Sequence, residues 1–515
     1  MNDKMNSNNF YSIFEQYFKS DIIKKIEDRD HLIYLINELR IRDIALFFSE
    51  RQLKLINISV LDFTEKFQLM YEFYYRLDKT FKFLFLMVLI DNNHSINSIN
   101  HIFPQAKYYE NEIEKRFGLS FKYISNSIEI EPFSIPTPFE SEIKLNYYIP
   151  IGIYSKNPNL RNYFNLLCKR NKIQTVIEKT GWLYRGIIPL LSNLSFKDNV
   201  KLTKRICYIS SYHHNLSYIM CLEQLMEIKV QNRVKQIRTV FCELERFESL
   251  LLWFINLFKL LKYRKMYINL MSLRNQFQNS VKTHLKIRFF DEINFIGYCK
   301  DFPNGDLLNF QLILTKLFKK VFNLIKYTVY RNHLRNRCEG IGILGRDEAL
   351  NAGVTGSCLR ASGINYDIRF EKPYLSYIDD DLVKEWNIVT SRNGDVFSRI
   401  ETRIWEMEQT IKIIDYLITK LIDDDSEIEI FDDKNLVLPK NKIAIMQVES
   451  PQGELVYCLK TSEIGAPERF AGAIICSPSF KNFTALNNYL LKGNYKSNYN
   501  LIVHSMDLIF NEIDL

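Results

Sequence analysis

The sequence predicts an α+β protein of two domains, a small mixed domain followed by a mainly helical domain with short peripheral strands. The chain has 515 residues, 47% of them hydrophobic, which is enough for more than one buried core. Its first 90 residues mix helical spacing with short alternating segments. Residues 215–337 carry Leu, Ile, Phe and Lys at helical spacing with Pro303 as their single proline, which indicates a bundle of long helices.

Charge and cysteine content exclude several classes of protein. The net charge of +8 is modest, no three consecutive residues are Lys or Arg, and the densest basic patch, residues 259–265, is typical of a solvated helix face, so we expect no nucleic-acid partner. Nine cysteines include no Cys-x-x-Cys pair, which argues against a zinc site, a complete iron-sulfur site and a disulfide framework, and fits a reducing cytosol. The N-terminus lacks the apolar core of a signal peptide, and no apolar run reaches the ~20 residues of a spanning helix, so membrane association is expected to be peripheral.

Residues 1–130 are predicted to form the small α+β domain. Leu53 to Val60 alternates, and Phe83 to Ile90 is an apolar run. Phe103 to Gly118 is expected to be an amphipathic helix that begins at a proline-containing turn and ends at its glycine. The next segment, residues 131–145, starts with closely spaced prolines, which disfavour both helix and sheet, and we interpret it as a linker.

Residues 146–515 are predicted to form the larger domain, which opens with strands. Tyr147 to Ile153 and Lys172 to Ile177 have the composition of short strands, and the first helical section starts at residues 182–186. The bundle of long helices follows, and a further helix is expected to begin near Arg399, after a Gly-Asp turn.

A glycine-rich segment lies beyond the long helices, at residues 340–363. So many glycines beside Arg360 predict tight turns whose backbone approaches another surface closely. A phosphate-binding loop is excluded, because neither Gly-x-Gly-x-x-Gly between a strand and a helix nor a Gly-Lys-Ser/Thr context is present.

Residues 103–118 resemble a signature of respiratory complex I (NADH-quinone oxidoreductase), Pro-x-Ala-x-Trp-Tyr-Glu-Arg-Glu-x-x-Asp-x-Phe-Gly, which belongs to its C-type subunit. The signature's Trp, Arg and Asp are replaced here by Tyr108, Asn111 and Lys115. The matching positions are Pro104, Ala106, Tyr109, Glu110, Glu112, Phe117 and Gly118.

Residues 353–363 resemble the sequence Gly-Val-x-Gly-Pro-x-x-Arg-Ala-Ser-Gly that the D-type subunit of complex I shares with the membrane-bound hydrogenases. Ser357 replaces the Pro of that sequence. The resemblance continues through residues 367–374, 448–454 and 478–480. A C-type unit joined to a D-type unit is the order of the fused large subunit of formate hydrogenlyase and other energy-converting hydrogenases.

The segment from Lys204 to Asn215 resembles the first nickel-binding motif of hydrogenase large subunits, Arg-(Ile/Val)-Cys-Gly-Ile-Cys followed by a His. Cys207 and His214 match it, whereas Tyr208 and Ser210 stand at the glycine and at the second thiolate and resemble the D-type subunit of complex I.

The second thiolate pair of the hydrogenases belongs near the C-terminus, where this chain has Ile509 and Glu512. Three of the four thiolates that hold nickel and iron are thus replaced, so a nickel-iron centre is not expected. We interpret Cys207 as a small buried residue.

Quinone binding is the alternative chemistry that the resemblance to the D-type subunit implies. There the residue that matches Tyr208 donates a hydrogen bond to the quinone headgroup, and a phenol can supply both a hydrogen bond and a proton. The histidine positions of the accompanying loop are Ser155 and Asn159 here, which can donate hydrogen bonds but carry no proton charge at neutral pH. Tyr208 as a buried tyrosine that bonds a backbone carbonyl is the competing interpretation.

Three further polar residues of the helical region, Glu223, Glu245 and Arg246, resemble positions that both families share. Adjacent Glu and Arg residues on a helix usually make a solvated or interhelical ion pair, and we interpret Glu245 and Arg246 in this way.

The resemblance implies a subunit of a membrane-associated, complex I-like or hydrogenase-related oxidoreductase, peripheral on the cytoplasmic side of the inner (plasma) membrane. Its expected partners are an iron-sulfur small subunit similar to the B-type subunit of complex I and proton- or ion-translocating membrane subunits. The partner's iron-sulfur cluster would bring electrons from NAD(P)H or another donor to a quinone near Tyr208. A redox-inactive structural or coupling subunit is the alternative, and a functional hydrogenase would require nickel.

Overall fold

A computed structural model describes most of the chain, and its helices, strands and side chains are those of an α+β protein. Within the described part no helix is both long and apolar enough to cross a membrane. The predicted linker, residues 131–145, lies outside the described residues. These are 7–28, 31–51, 53–63, 66–77, 80–91, 95–103, 106–123, 146–151, 163–179, 183–424, 426–431, 436–461 and 468–515.

The N-terminal part is built on a five-stranded sheet in the order β1-β2-β5-β4-β3. The β2–β5 pair is parallel and the other pairs are antiparallel. The strands are β1 Ile22–Asp28, β2 His31–Ile36, β3 Lys54–Phe63, β4 Lys66–Leu77 and β5 Thr80–Asp91, with a separate parallel pair of β6 Ser95–Asn97 and β7 Ser120–Lys122. The helices are α1 Ser7–Tyr17, α2 Ile41–Glu50 and α3 Ala106–Phe117, the last of which confirms the amphipathic helix predicted for Phe103 to Gly118.

The apolar run from Phe83 to Ile90 lies in β5, near the middle of the sheet. Leu84 and Leu86 pack into the N-terminal core, whereas Phe85 and Met87 pack into the core of the larger part. A strand buried on both faces needs no polar alternation, which explains why this segment is apolar throughout.

Two three-stranded antiparallel sheets flank the helices of the larger part. Their strands are β8 Asn146–Ile151, β9 Tyr163–Lys169, β10 Lys172–Lys179, β11 Ile443–Ser450, β12 Gly453–Thr461 and β13 Phe470–Cys476. β3 packs against β13, and the ring of Tyr109 lies 5.3 Å from that of Phe480, so the N-terminal sheet contacts the larger part directly.

Long helices form the centre of the larger part, as predicted. They are α6 Ser211–Leu225, α7 Asn232–Leu260, α8 Arg264–Ser280, α9 Asn304–Val329 and α15 Val396–Ile422. The shorter helices are α4 Ile187–Asn193, α5 Phe196–Thr203, α10 Asn332–Cys338, α11 Arg346–Asn351, α12 Gly356–Arg360, α13 Ile368–Glu371, α14 Asp380–Glu385, α16 Pro478–Ala485, α17 Tyr499–Ser505 and α18 Phe510–Ile513. α7 packs against both α8 and α15 and is buried on nearly all sides, which explains its long apolar stretch.

The glycine-rich segment makes the close backbone approach that its sequence predicts. Gly356 has φ of +67°, and a Cβ on it would overlap the carbonyl oxygen of Gln452. A Cβ on Gly453, in the facing hairpin, would likewise lie 2.8 Å from the backbone nitrogen of Gly356. These glycines therefore allow α12 to lie directly on the turn between β11 and β12.

Candidate functional site

A short turn between α5 and α6 carries the motif residues and directs neighbouring side chains into opposite environments. Arg185 holds the turn by donating hydrogen bonds of 2.6 Å to the carbonyl oxygens of Arg205 and Ile206. Cys207 is completely buried, whereas Tyr208 is 57% exposed. The interpretation of Cys207 as a small buried residue is confirmed, and that of Tyr208 as a buried tyrosine is wrong.

The buried side of this turn meets the C-terminal segment, as the comparison with hydrogenases predicts. Ser210 Oγ lies 3.0 Å from Cys207 Sγ and 2.8 Å from Glu512 Oε1. His214 Nε2 lies 3.4 Å from the same Glu512 oxygen. Ile509 is also buried here, and its backbone N–H donates to Ser479 Oγ at 3.1 Å. Residues about 300 positions apart in the chain thus form one cluster.

The outer contacts of this cluster fix the orientation of its side chains. His214 Nδ1 lies 2.8 Å from the hydroxyl of Tyr457. Ser479 Oγ donates to Glu512 Oε2 at 2.8 Å. Although burial opposes ionisation, hydrogen bonds with His214, Cys207 and Ser479 hold the pKa of Glu512 below its usual range. Burial and the nearby Glu512 carboxylate raise the pKa of the Cys207 thiol well above its usual range, so the thiol stays protonated.

The donor atoms of this cluster do not fit a nickel-iron centre, which needs four thiolates. Cys207 is the single thiol among the four ligand positions, and Ser210 and Glu512 are hydrogen-bonded to each other in place of two of the thiolates. Ile509 offers no ligand atom. Among the described residues, the atoms of Cys207, His214 and Glu512 lie within 4.8 Å of one another. These groups are hydrogen-bonded to one another and include one thiol, so they do not supply the donor set of a nickel-iron centre.

The exposed side of the turn borders a cleft of about 560 Å³. Tyr208 and Ser211 line it together with Glu245 and Glu248. Glu248 is neutralised by Arg274, whose guanidinium lies 2.6 Å away. The cleft is therefore lined by a half-exposed phenol, a serine, the buried Glu245 and basic residues. Ser155 and Asn159, the other predicted site residues, lie outside the described residues.

Glu245 and Arg246 are both buried and do not pair with each other, so the interpretation as a solvated pair is wrong, whereas Glu245 does contact a second helix. Arg246 pairs with Glu243 at 3.2 Å, one helical turn before it on α7. Glu245 faces the start of α6, where Oε1 accepts a hydrogen bond from the backbone N–H of Tyr212 at 2.8 Å. Its Oε2 accepts one from the backbone N–H of His213 at 3.0 Å and lies 2.6 Å from His213 Nδ1. Consecutive residues on a helix point about 100° apart, so Glu245 and Arg246 cannot share a direction.

His213, Tyr457 and Ser479 are the site residues that sequence reasoning missed. The adjacent histidines at the start of α6 were an available signal for His213. Ser479 lies in the resembling segment 478–480, but nothing in the sequence assigns it to this site, and Tyr457 carries no local pattern, because only the folded chain brings β12 and α16 beside α6.

Two protein families match separate stretches of the chain. Residues 34–131 match the 30 kDa subunit of the respiratory-chain NADH dehydrogenase, and residues 265–445 match its 49 kDa subunit. A D-type subunit of the NADH-quinone oxidoreductase of Chloroherpeton thalassium is 28% identical over 402 residues, which are 73% of this chain and 89% of the relative. The D-type subunit of the F(420)H(2) dehydrogenase of Methanosarcina mazei is 32% identical over 259 residues, which are 49% of this chain and 66% of the relative.

A solved structure has a similar fold over much of this chain. It is a chain of the membrane-bound sulfane sulfur reductase, an archaeal respiratory membrane complex, with a TM-score of 0.63 and 25% identity. The similarity covers 72% of this chain and 99% of that one.

The fold and the matches together place this chain in the class of subunits of membrane-associated oxidoreductases related to complex I, as the sequence predicts. Within this class, the chain is of the fused type, in which a region homologous to the 30 kDa subunit precedes a region homologous to the 49 kDa subunit.

Proposed function

We propose that this chain forms the acceptor site of its complex and that a quinone is reduced in the cleft beside Tyr208. The observation that carries the proposal is the position of Tyr208, a half-exposed phenol on the wall of a cleft of about 560 Å³. A phenol hydroxyl can donate a hydrogen bond to a carbonyl oxygen of the quinone and a proton when that oxygen gains electrons.

The electrons would come from a partner subunit with an iron-sulfur cluster, because the nine cysteines of this chain include no cluster-binding pair. The names of the relatives support the separation of electron donor and acceptor sites between subunits, since one relative belongs to an NADH-quinone oxidoreductase and another to an F(420)H(2) dehydrogenase. One type of subunit thus occurs in enzymes with different donors. We further propose proton- or ion-translocating membrane subunits as partners and a location on the cytoplasmic side of the membrane.

The test is quinone reduction by the purified complex with Tyr208→Phe beside the wild type. We expect kcat/KM for quinone to fall about 100-fold, because the variant keeps the ring and loses the hydroxyl. Tyr495→Phe is the matched control, because Tyr495 is 53% exposed and lies outside the residues that line the cleft. Wild-type activity in Tyr208→Phe would remove Tyr208 from the reaction.

A redox-inactive structural or coupling subunit is the second candidate. The hydrogen-bonded Ser210 and Glu512, in place of metal-binding thiolates, favour it. Under this hypothesis, the wild-type complex reduces no quinone, and Tyr208→Phe changes nothing.

A further inference from the structure

The wall of the cleft contains a buried carboxyl group whose environment differs from that of an ordinary ion pair. Glu245 is 4% exposed, and it is one of the residues that line the cleft in which Tyr208 lies. The neighbouring cation of α7, Arg246, is occupied by Glu243 and by the carbonyl oxygens of Glu449 and Ser450. Glu245 contacts the imidazole of His213 instead.

We propose that Glu245 and His213 act as the proton-donating pair of this cleft and deliver a proton to the acceptor that binds beside Tyr208. The inference rests on the proposed function and deepens it by adding two residues to the site. The pair also gives the site a group that can carry a proton, which Ser155 and Asn159, at the loop histidine positions, cannot do.

The geometry of the pair can hold the proton before its transfer and stabilise the carboxylate that remains afterwards. Before transfer, the proton is shared between Glu245 Oε2 and His213 Nδ1, which lie 2.6 Å apart. After transfer, the Glu245 carboxylate is stabilised by the backbone N–H groups of Tyr212 and His213 at 2.8 and 3.0 Å. These amides belong to the first turn of α6, where a helix favours negative charge.

His213 adds a second feature of a proton-transfer site. Its ring is fully buried, and its Nε2 has no hydrogen-bond partner within the described part of the chain. A buried polar atom without a partner is costly, so the free Nε2 of His213 needs an explanation, and proton exchange with a bound acceptor would supply one.

Burial of the pair favours a bound proton on Glu245 at neutral pH. Burial raises the pKa of Glu245 to about 8, and burial together with Arg246 lowers the pKa of His213 well below its usual range. A carboxyl group with a pKa near 8 is protonated at pH 7 and still releases its proton readily. The titratable and charged groups that interact with the pair include Cys242, His214, Glu243, Arg246, Glu248, Asp291 and Arg369.

For a quinone, the proposed step conserves protons and electrons. Reduction to the quinol takes two electrons, from the iron-sulfur partner, and two protons, one for each carbonyl oxygen. The Glu245–His213 pair provides one proton: a bond to hydrogen breaks in the pair, an O–H bond forms on the quinone, and a carboxylate remains beside a neutral imidazole. Tyr208 or solvent provides the second proton, and the pair regains its own from solvent in the cleft.

The experiment compares Glu245→Gln with the wild type in the purified complex, by measuring quinone reduction across pH and quinone binding separately. Gln keeps the size and the acceptor for an N–H of α6 but has no proton to release. We expect kcat to fall about 100-fold with KM and quinone binding unchanged. In the wild type, kcat should fall as pH rises through about 8, because the pair is then deprotonated, and the variant should lose this decline.

Glu110→Gln is the matched control. Glu110 is also a buried carboxyl group that accepts a backbone N–H and a hydroxyl hydrogen bond, and burial raises its pKa to about 7, but it lies in the N-terminal part. It should keep wild-type kcat. Glu245→Asp, which retains a carboxyl group, should restore part of the activity and of the pH dependence.

Each outcome decides between the proposals. An active wild type together with wild-type kcat and an unchanged pH profile in Glu245→Gln would overturn the proton-donating pair and leave Tyr208 as the acceptor contact. A wild-type complex that reduces no quinone would overturn both. If Glu245→Gln fails to assemble, His213→Asn provides the same test, because it removes the other partner of the shared proton.

Discussion

At the scale of single residues, Cys207 and Tyr208 are adjacent in one turn but face different environments. Cys207 points inward to Ser210 and Glu512, and Tyr208 points outward into the cleft. A substitution at position 207 therefore acts on the buried cluster, whereas one at position 208 acts on whatever occupies the cleft.

His504 is a buried histidine that makes stability depend on pH. Its ring stacks on Trp253 at 4.9 Å, and burial and the nearby Arg403 lower its pKa to about 4. An unfolded histidine has a pKa near 6.5, so between pH 6.5 and 4 the unfolded chain binds a proton that the folded chain does not. The stability associated with neutral His504 is therefore complete above pH 6.5 and lost as pH falls through about 4, a loss of about 3 kcal/mol.

We expect His504→Phe to make the unfolding free energy less dependent on pH over this range. Phe keeps the stacking on Trp253 and takes up no proton. Urea unfolding at pH 7 and pH 4.5 measures the effect, and His333→Phe, at an exposed histidine, is the control. An equal loss of stability in His504→Phe and the wild type would show that His504 titrates normally.

At the scale of elements, the first turn of α6 connects two sites. Successive residues point about 100° apart, so His213 faces Glu245 on α7 while His214 faces Glu512 beside α16. The cleft and the buried cluster are thus coupled by a single helix. Any movement of α6 would change both sets of contacts together.

The contact of α12 with the β11–β12 turn depends on glycine at position 356. We expect Gly356→Ala to lower the unfolding free energy by about 3 kcal/mol or more, because the left-handed backbone and the overlap with Gln452 both oppose a Cβ. Gly118→Ala separates the two causes, since Gly118 has a similar φ of +69° and open space around it. That control should lose about 1 kcal/mol. Equal losses in the two variants, measured by thermal unfolding, would contradict the close approach.

At the scale of the whole molecule, a chain of buried charges connects distant segments. Arg360 contacts Glu406 at 2.6 Å, Glu449 at 2.8 Å and Asp367 at 3.2 Å. Arg369 continues the chain from Asp367 to Glu243, and Arg246 ends it. These residues belong to α7, α12, α13, α15 and β11, so a single network joins most of the larger part.

Removal of the central cation should therefore destabilise the protein strongly. We expect Arg360→Met to cost about 3–5 kcal/mol, because Glu406 and Glu449 lose their buried cation and Asp367 keeps Arg369 but loses its second one. Arg335→Met, at an exposed arginine paired with Glu339, should leave stability unchanged. Similar unfolding midpoints for the two variants in denaturant would show that the buried carboxylates find other partners.

The sequence by itself determined the class of fold, the long helices and the identity of the family. Helical spacing of apolar residues in 215–337 predicts helices with a buried face, whichever elements they pack against. The glycines around position 356 predict a close backbone approach, but not which segment is approached. Cys207 and Glu512 could be assigned to one site only through the resemblance to a known motif.

The tertiary structure alone decided which polar groups meet. The sequence shows that Glu245 and Arg246 are adjacent on a helix but not which groups they meet, whereas the fold turns the two side chains apart and brings Glu245 to His213. It likewise decided that Tyr208 borders a cleft rather than the core. Side-chain direction depends on how helices pack around the turn, and that packing is set by contacts between residues far apart in the chain.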